Sequence, residues 1–120
     1  MNRRVGGILF FKVNGELFQA KGEFTYNINP VKREAVIGAD GVHGFKEEPK
    51  APFIEGAITD SDELDLAKLQ ATRDATATIE LANGKVIVIR DAWYAGDGDV
   101  KSSEGEIAVR IEGIRGEEIR

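Results

Sequence analysis

Short apolar runs separated by glycine-rich breaks set the rhythm of this chain. Two pairs of runs meet across an Asn-Gly dipeptide. Residues 8–13 lead into Asn14-Gly15 and then residues 16–20; residues 76–82 lead into Asn83-Gly84 and then residues 85–93. Asn-Gly tolerates positive φ at both central positions, which a two-residue type I′ turn requires. Both segments are therefore expected as β-hairpins.

A two-residue turn fixes the register, and the register fixes the faces. In the second hairpin Leu81 falls opposite Val86, Ile79 opposite Val88 and Ala77 opposite Arg90. That mostly apolar face is expected to point inward. Glu80 opposite Ile87, Thr78 opposite Ile89 and Thr76 opposite Asp91 make the other face amphipathic. The first hairpin is apolar on both sides, with Leu9, Phe11, Val13, Phe18 and Ala20 on one and Ile8, Phe10 and Leu17 on the other. Strands apolar on both faces need cover on both. A helix of the same chain or a neighbouring subunit can supply it, and the pattern leaves both open.

Between the hairpins, residues 23–29 and 32–37 read as strands, broken at Asn29-Pro30. Residues 38–52 are rich in glycine and charge and read as a long loop, too long to be idle in a compact domain. Residues 51–59 return to strand. Asp60-Ser61-Asp62-Glu63 looks like a helix start, with Asp60 or Ser61 as cap and Glu63 closing a capping box on Asp60. Leu64, Leu66, Ala67 and Leu69 then give a short amphipathic helix ending near Thr72. Residues 105–112 read as a last strand, and the polar residues 114–120 are expected to fray or to dock on a partner. With 14 glycines against 3 prolines between short apolar runs, the chain is expected to be mainly β, as one domain over residues 1–120.

Composition narrows the chemistry. The absence of cysteine removes disulfides, thiol nucleophiles and thiolate metal sites, and one histidine, His43, removes any multi-histidine site. The charged start Asn2-Arg3-Arg4 leads into no long apolar run, so neither a leader peptide nor a membrane anchor is expected. A net charge of −5 with no basic cluster argues against general nucleic-acid binding. Asp97-Gly98-Asp99 lacks the distal ligands of a calcium loop and reads as a turn. His43 has no predictable orienting partner, and Ser61, Ser102 and Ser103 lie outside any nucleophile context. Gly6-Gly7 and the glycines at 38 and 41 form no phosphate-cradling fingerprint. The acidic pairs Glu47-Glu48 and Glu117-Glu118 read as solvated, and Trp93-Tyr94 as core or rim packing. The residues point to a non-enzymatic β domain with no cofactor.

Several longer runs carry a family resemblance. They are Gly38-Ala-Asp-Gly-Val-His-Gly44, Ile54-Glu-Gly-Ala-Ile-Thr-Asp60, Leu81-Ala-Asn-Gly-Lys-Val-Ile-Val88 and Arg90-Asp-Ala-Trp-Tyr-Ala-Gly-Asp-Gly-Asp-Val100. With Arg4-Val-Gly-Gly7, Lys12-Val-Asn-Gly15 and Phe24-Thr-Tyr-Asn27 at the start, the sequence resembles the Mu-type phage tail tube protein family from about residue 4 to residue 113. The resemblance implies a β-sandwich or barrel with one short flanking helix. It implies a structural virion protein of a contractile, Mu-like phage or prophage tail, assembled in the bacterial host cytoplasm. Such subunits form hexameric rings that stack into the inner tube, the conduit for DNA ejection. The implied partners are other copies of the chain, the tail sheath protein, the tape measure protein, and the baseplate and tail terminator proteins, with DNA passing without specific binding. A tube protein of a phage-derived bacteriocin or of a type VI-like secretion system is the alternative. A small enzyme or ligand-binding barrel lacks any convergent polar constellation to support it.

On that expectation, ring closure requires one surface of a subunit to meet a different surface of the next. Residues 38–52 are expected to reach a neighbour, in the adjacent ring, with Val42, His43 and Phe45 as contacts. Phe10, Leu17, Ile87 and Ile89 are further expected contacts. Thr76, Thr78 and Glu80 are expected to face the lumen, where carboxylates would keep phosphate off the wall.

Overall fold

The first hairpin forms as its turn chemistry demands. Asn14 and Gly15 take φ of 51° and 82°, and Val13 pairs directly with Glu16. The computed structural model describes residues 8–62, 64–96 and 105–119. Its strands are β1 (Ile8–Val13), β2 (Glu16–Phe18), β3 (Ala20–Asn27), β4 (Val31–Gly38), β5 (Gly41–Pro49), β6 (Phe53–Thr59), β7 (Ala75–Leu81), β8 (Val86–Tyr94), β9 (Glu106–Glu112) and β10 (Arg115–Ile119), with a single helix α1 (Leu66–Gln70) between β6 and β7.

All strands but β4 and β5 join one sheet in the order β2-β1-β7-β8-β9-β6-β3, with β10 added alongside β8. The two ends of that order are consecutive in sequence, joined through Gln19. The sheet therefore curls into a nearly closed barrel, and the Thr59 N–H donates to the Gln19 carbonyl at 2.8 Å near that junction. Along β7 and β9 alternate residues are buried. Phe11, Ile54, Ile58, Ile79, Ile87, Ile89, Ile107 and Ile111 are all fully buried. Phe11 packs at 5.8 Å from the Phe18 ring and 5.2 Å from the Phe24 ring.

The second hairpin departs from the expected register. Glu80 pairs with Val86, Ile79 with Ile87 and Ala77 with Ile89, one residue out of step with a two-residue turn. The loop is Ala82-Asn83-Gly84. The Gly84 N–H donates to the Leu81 carbonyl at 3.0 Å and the Leu81 N–H to the Lys85 carbonyl at 2.8 Å. Only Gly84 of the three adopts positive φ, at 94°. This is a type I turn closed by a glycine bulge. The shift has a clear driving force. The expected register would place Arg90 in the core opposite Ala77, and burying an unpaired guanidinium is far costlier than losing a two-residue turn. The observed one buries Ile89 there and leaves Arg90 outside.

Three other expectations are corrected. The helix is shorter than its pattern suggests. The Asp60 N–H is bonded to the Gly105 carbonyl at 2.9 Å, so it is not free to take the return bond of a capping box. Asp65 caps instead, accepting from the Lys68 N–H at 3.1 Å, and Leu69 is the helix's buried anchor. Residues 41–49 are a strand, not loop. Residues 115–119 are not a free tail. β10 pairs with β8 from Arg115↔Arg90 to Ile119↔Val86, continuing the register that β9 starts at Trp93↔Glu112. Asp97-Gly98-Asp99, Ser102 and Ser103 lie outside the described residues.

Candidate assembly interface

β4 and β5 pair only with each other. They form a ribbon from Val31↔Pro49 to Gly38↔Gly41, and a nine-residue strand at ~3.3 Å per residue reaches about 30 Å. A 120-residue chain packed as a ball would have a radius of gyration near ~14 Å; this one has 16.9 Å and a long axis of 60 Å. The ribbon is a projecting arm.

Its root is stiff. All three prolines of the chain, Pro30, Pro49 and Pro52, sit where the arm leaves and rejoins the barrel, and each fixes its own φ. Asn27 Oδ1 accepts from the Asn29 N–H at 2.8 Å and Asn29 Oδ1 from the Val31 N–H at 3.1 Å. The Lys50 N–H donates to the Pro30 carbonyl at 3.0 Å and ties the two rails together.

The arm is amphipathic across its thickness. Its register puts Lys32, Glu34, Lys46 and Glu48 on one face. Glu34 there lies 2.9 Å from Lys32 and 3.7 Å from Lys46. The hydrogen bond from Lys32 holds Glu34 below the usual carboxylate range and raises Lys32 in turn. The other face carries Arg33 opposite Glu47, Ala35 opposite Phe45 and Ile37 opposite Val42. Arg33 is 3.1 Å from Glu47 and its guanidinium lies 5.8 Å from the centre of the Phe45 ring. Towards the tip this face is apolar and open to solvent: Ile37 is 73% exposed, Val42 71% and Phe45 63%.

His43 is the extra residue of a bulge, since Val36 pairs with Gly44 and Ile37 with Val42. Its Nε2 lies 2.5 Å from Asp40 Oδ1, and this bond holds Asp40 below its ordinary value. The ring lies against Gly38, where a Cβ would overlap it. His43 thus has an orienting carboxylate but no pocket, for both side chains are more than half exposed. The bulge shapes the arm tip.

The remaining predicted positions divide. Phe10 and Leu17 are exposed on the barrel's outer face. Ile87 and Ile89 are not at a surface; both are sealed in the core of their own chain, at 1% and 0% exposure, and a neighbour cannot reach them. Thr78 pairs with Lys12 and Glu80 with Phe10, so these residues share the outer face with Phe10 and Leu17. Glu80 is not a bare carboxylate, since Lys12 Nζ stands 3.5 Å from its Oε1. On the same face Arg90 Nε donates to Glu117 Oε1 at 2.7 Å. Ile37 and Ile119 are exposed apolar positions that sequence reasoning missed. Ile37 could have been found had residues 41–45, with their two glycines, been paired back onto it.

Among the described residues no group of acidic or histidine side chains gathers as a metal site, and no helix is long and apolar enough to cross a membrane. A barrel bearing a projecting arm with a bare apolar tip has the form of a subunit made to join others. A model of the phage tail tube protein family matches residues 2–118, and the chain belongs to that family. It is therefore a structural component of a virion tail, from a family that self-assembles into a tube. No curated protein matches the chain.

Proposed function

We propose that this chain is the inner tube subunit of a contractile, Mu-like tail, and that hexameric rings of it stack into the conduit for DNA ejection. The arm is the observation that carries the proposal. An isolated two-stranded ribbon is marginal in water, and this one exposes Ile37, Val42 and Phe45 while no other strand among the described residues pairs with it. Covering three such side chains is worth about 5 kcal/mol, enough to hold a ring to its neighbour when repeated six-fold. Val42 and Phe45 are the contacts, with His43 and Asp40 setting the shape of the tip. Phe10 and Leu17 supply a second contact within the ring.

The face bearing Thr76, Thr78 and Glu80 lines the lumen in this reading. Its ion pairs Lys12–Glu80 and Arg90–Glu117 neutralise each cation, so the wall offers no run of free positive charge to phosphate. Sheath, tape measure, baseplate and terminator proteins are the partners.

Electron microscopy and light scattering over a concentration series test this. Hollow tubes or six-fold rings are expected from the parent chain, and monomers from a variant with Ile37, Val42 and Phe45 all replaced by Ser. That variant should melt at the parent's temperature, because none of the three packs in the barrel. Polymerisation of the Ser variant at parental concentrations would remove the arm from the mechanism. A parent that stays monomeric even with baseplate and tape-measure partners would refute the tube.

A further inference from the structure

One short segment near the C-terminal end of the sequence touches both legs of the arm. Residues 113–116 run from the end of β9 into β10. The Gly113 N–H donates to the Pro52 carbonyl at 3.1 Å, and Pro52 is fully buried just before the incoming leg becomes β6. Gly116 lies against Ile28, at the start of the outgoing leg. A Cβ on Gly116 would stand 2.8 Å from the Ile28 Cβ and 2.9 Å from its Cα. Ile28 is itself partly buried against the core.

The segment is held firmly from its other side. The Ile114 N–H donates to the Arg90 carbonyl at 3.1 Å, and a Cβ on Gly113 would overlap both Ile89 and that carbonyl. Gly116 pairs with Ile89. Beyond it, Arg90 bonds Glu117 at 2.7 Å and Lys85 lies 3.1 Å from Glu118. We infer that residues 113–116 are a bracket that sets the direction of the arm, and that Ile28 on Gly116 is the contact that aims it. The bond to Pro52 fixes the incoming leg, so any displacement at Ile28 turns the ribbon about that leg. Carbon atoms in contact keep ~3.5 Å apart, so a methyl group on Gly116 must push Ile28 by about 0.7 Å. Across legs ~4.8 Å apart, that push moves the tip of a ~30 Å arm by roughly 4 Å. The bracket belongs to the single subunit and acts whatever the arm meets.

The chain contains no cysteine, so paired spin labels can be placed without background. One label goes on Ala39→Cys at the exposed arm tip, the other on exposed Arg73→Cys or Thr25→Cys on the barrel. Labelled protein is diluted into unlabelled protein, and the two tip-to-barrel distances are read by pulsed electron paramagnetic resonance. Gly116→Ala should shift at least one mean distance by roughly 4 Å, the lever arm's value. Ile28→Ala, which empties the seat without crowding it, should broaden both distributions. Ile107→Ala, a buried position on β9, should lower the melting temperature and leave both distances as in the parent. Parental distances and widths in Gly116→Ala and Ile28→Ala alike would overturn the bracket. So would equal broadening in Ile107→Ala, which would trace the effect to a loosened barrel. Should Gly116→Ala fail to fold, Ile28→Ala decides alone.

Discussion

Ile89 and Arg90 are neighbours in sequence and opposite in fate, and their placement sets the second hairpin. Ile89 is fully buried, so Ile89→Ala should cost about 2–5 kcal/mol, read as a lower urea midpoint with an unchanged slope. Under the two-residue turn that position would face outward and the cost would be small. Arg90 instead clamps β10 through Glu117. The guanidinium's hydrogen bond holds the Glu117 carboxyl below its usual value. A carboxylate whose folded pKa is depressed contributes stability that is complete above its unfolded pKa, ~4.3, and is lost as pH falls through the folded value. NMR titration should therefore find Glu117 titrating below the ordinary carboxylate range. Arg90→Ala should return it to the ordinary range. A Glu117 titration that does not move in Arg90→Ala would disprove the clamp. The two Asn-Gly turns show what the sequence could not reveal at this scale. The dipeptide suits both a type I′ turn and a type I turn with a bulge. Val13 before the first is β-branched and favours extended backbone. Ala82 before the second accepts the helical region, and the choice between Ile89 and Arg90 for the core depends on contacts far along the chain.

Among elements, the strands of the barrel other than β10 were legible and the arm was half legible. Residues 32–37 read as a strand, and their partner does not. Gly41 and Gly44 at φ of 131° and 143° and the bulged His43 break the alternation of β5, so residues 38–52 read as loop. The helix was overestimated because the cap-like Asp60 and Ser61 lie ahead of the true cap, Asp65. The arm's exposure has a dynamic consequence. Its ladder bonds are solvent-accessible and back onto no core, which places it at the low-stability end of the molecule. In unassembled protein, amides of β4 and β5 should exchange far faster than those of β7 and β9. In assembled particles they should become protected along with the barrel. Equal protection of arm and barrel in the monomer would contradict this account.

For the molecule as a whole, the mainly β class and the short helix were readable from residue types, and the tail tube family, with the sandwich or barrel it implies, from the resemblance of longer runs. The division of the surface was not. Phe10 and Leu17 stand outside, on the face that the register of the Asn14-Gly15 turn gives them. Ile87 and Ile89 were misplaced because the other register was wrong by one. The outer face that carries Thr76, Thr78 and Glu80 joins β1, β7, β8 and β10, strands drawn from both ends of the sequence. Its pairing of Lys12 with Glu80 spans 68 positions, beyond anything a local pattern encodes.

The root of the arm also decides how the subunit bears load. β3 runs into β4 and β5 returns into β6, and β3 and β6 are themselves paired. A pull on the tip therefore becomes tension along two adjacent strands. It passes to the barrel through the seven residue pairs between β6 and β9. Arg110 on β9 reinforces that ladder, held by Glu55 and Glu112 over the Phe53 ring. Loaded this way, the ladder's bonds are strained together in shear and are not peeled one at a time. A tube linked by such arms would resist stretching as a rope of spliced strands does, each splice gripping over its full length.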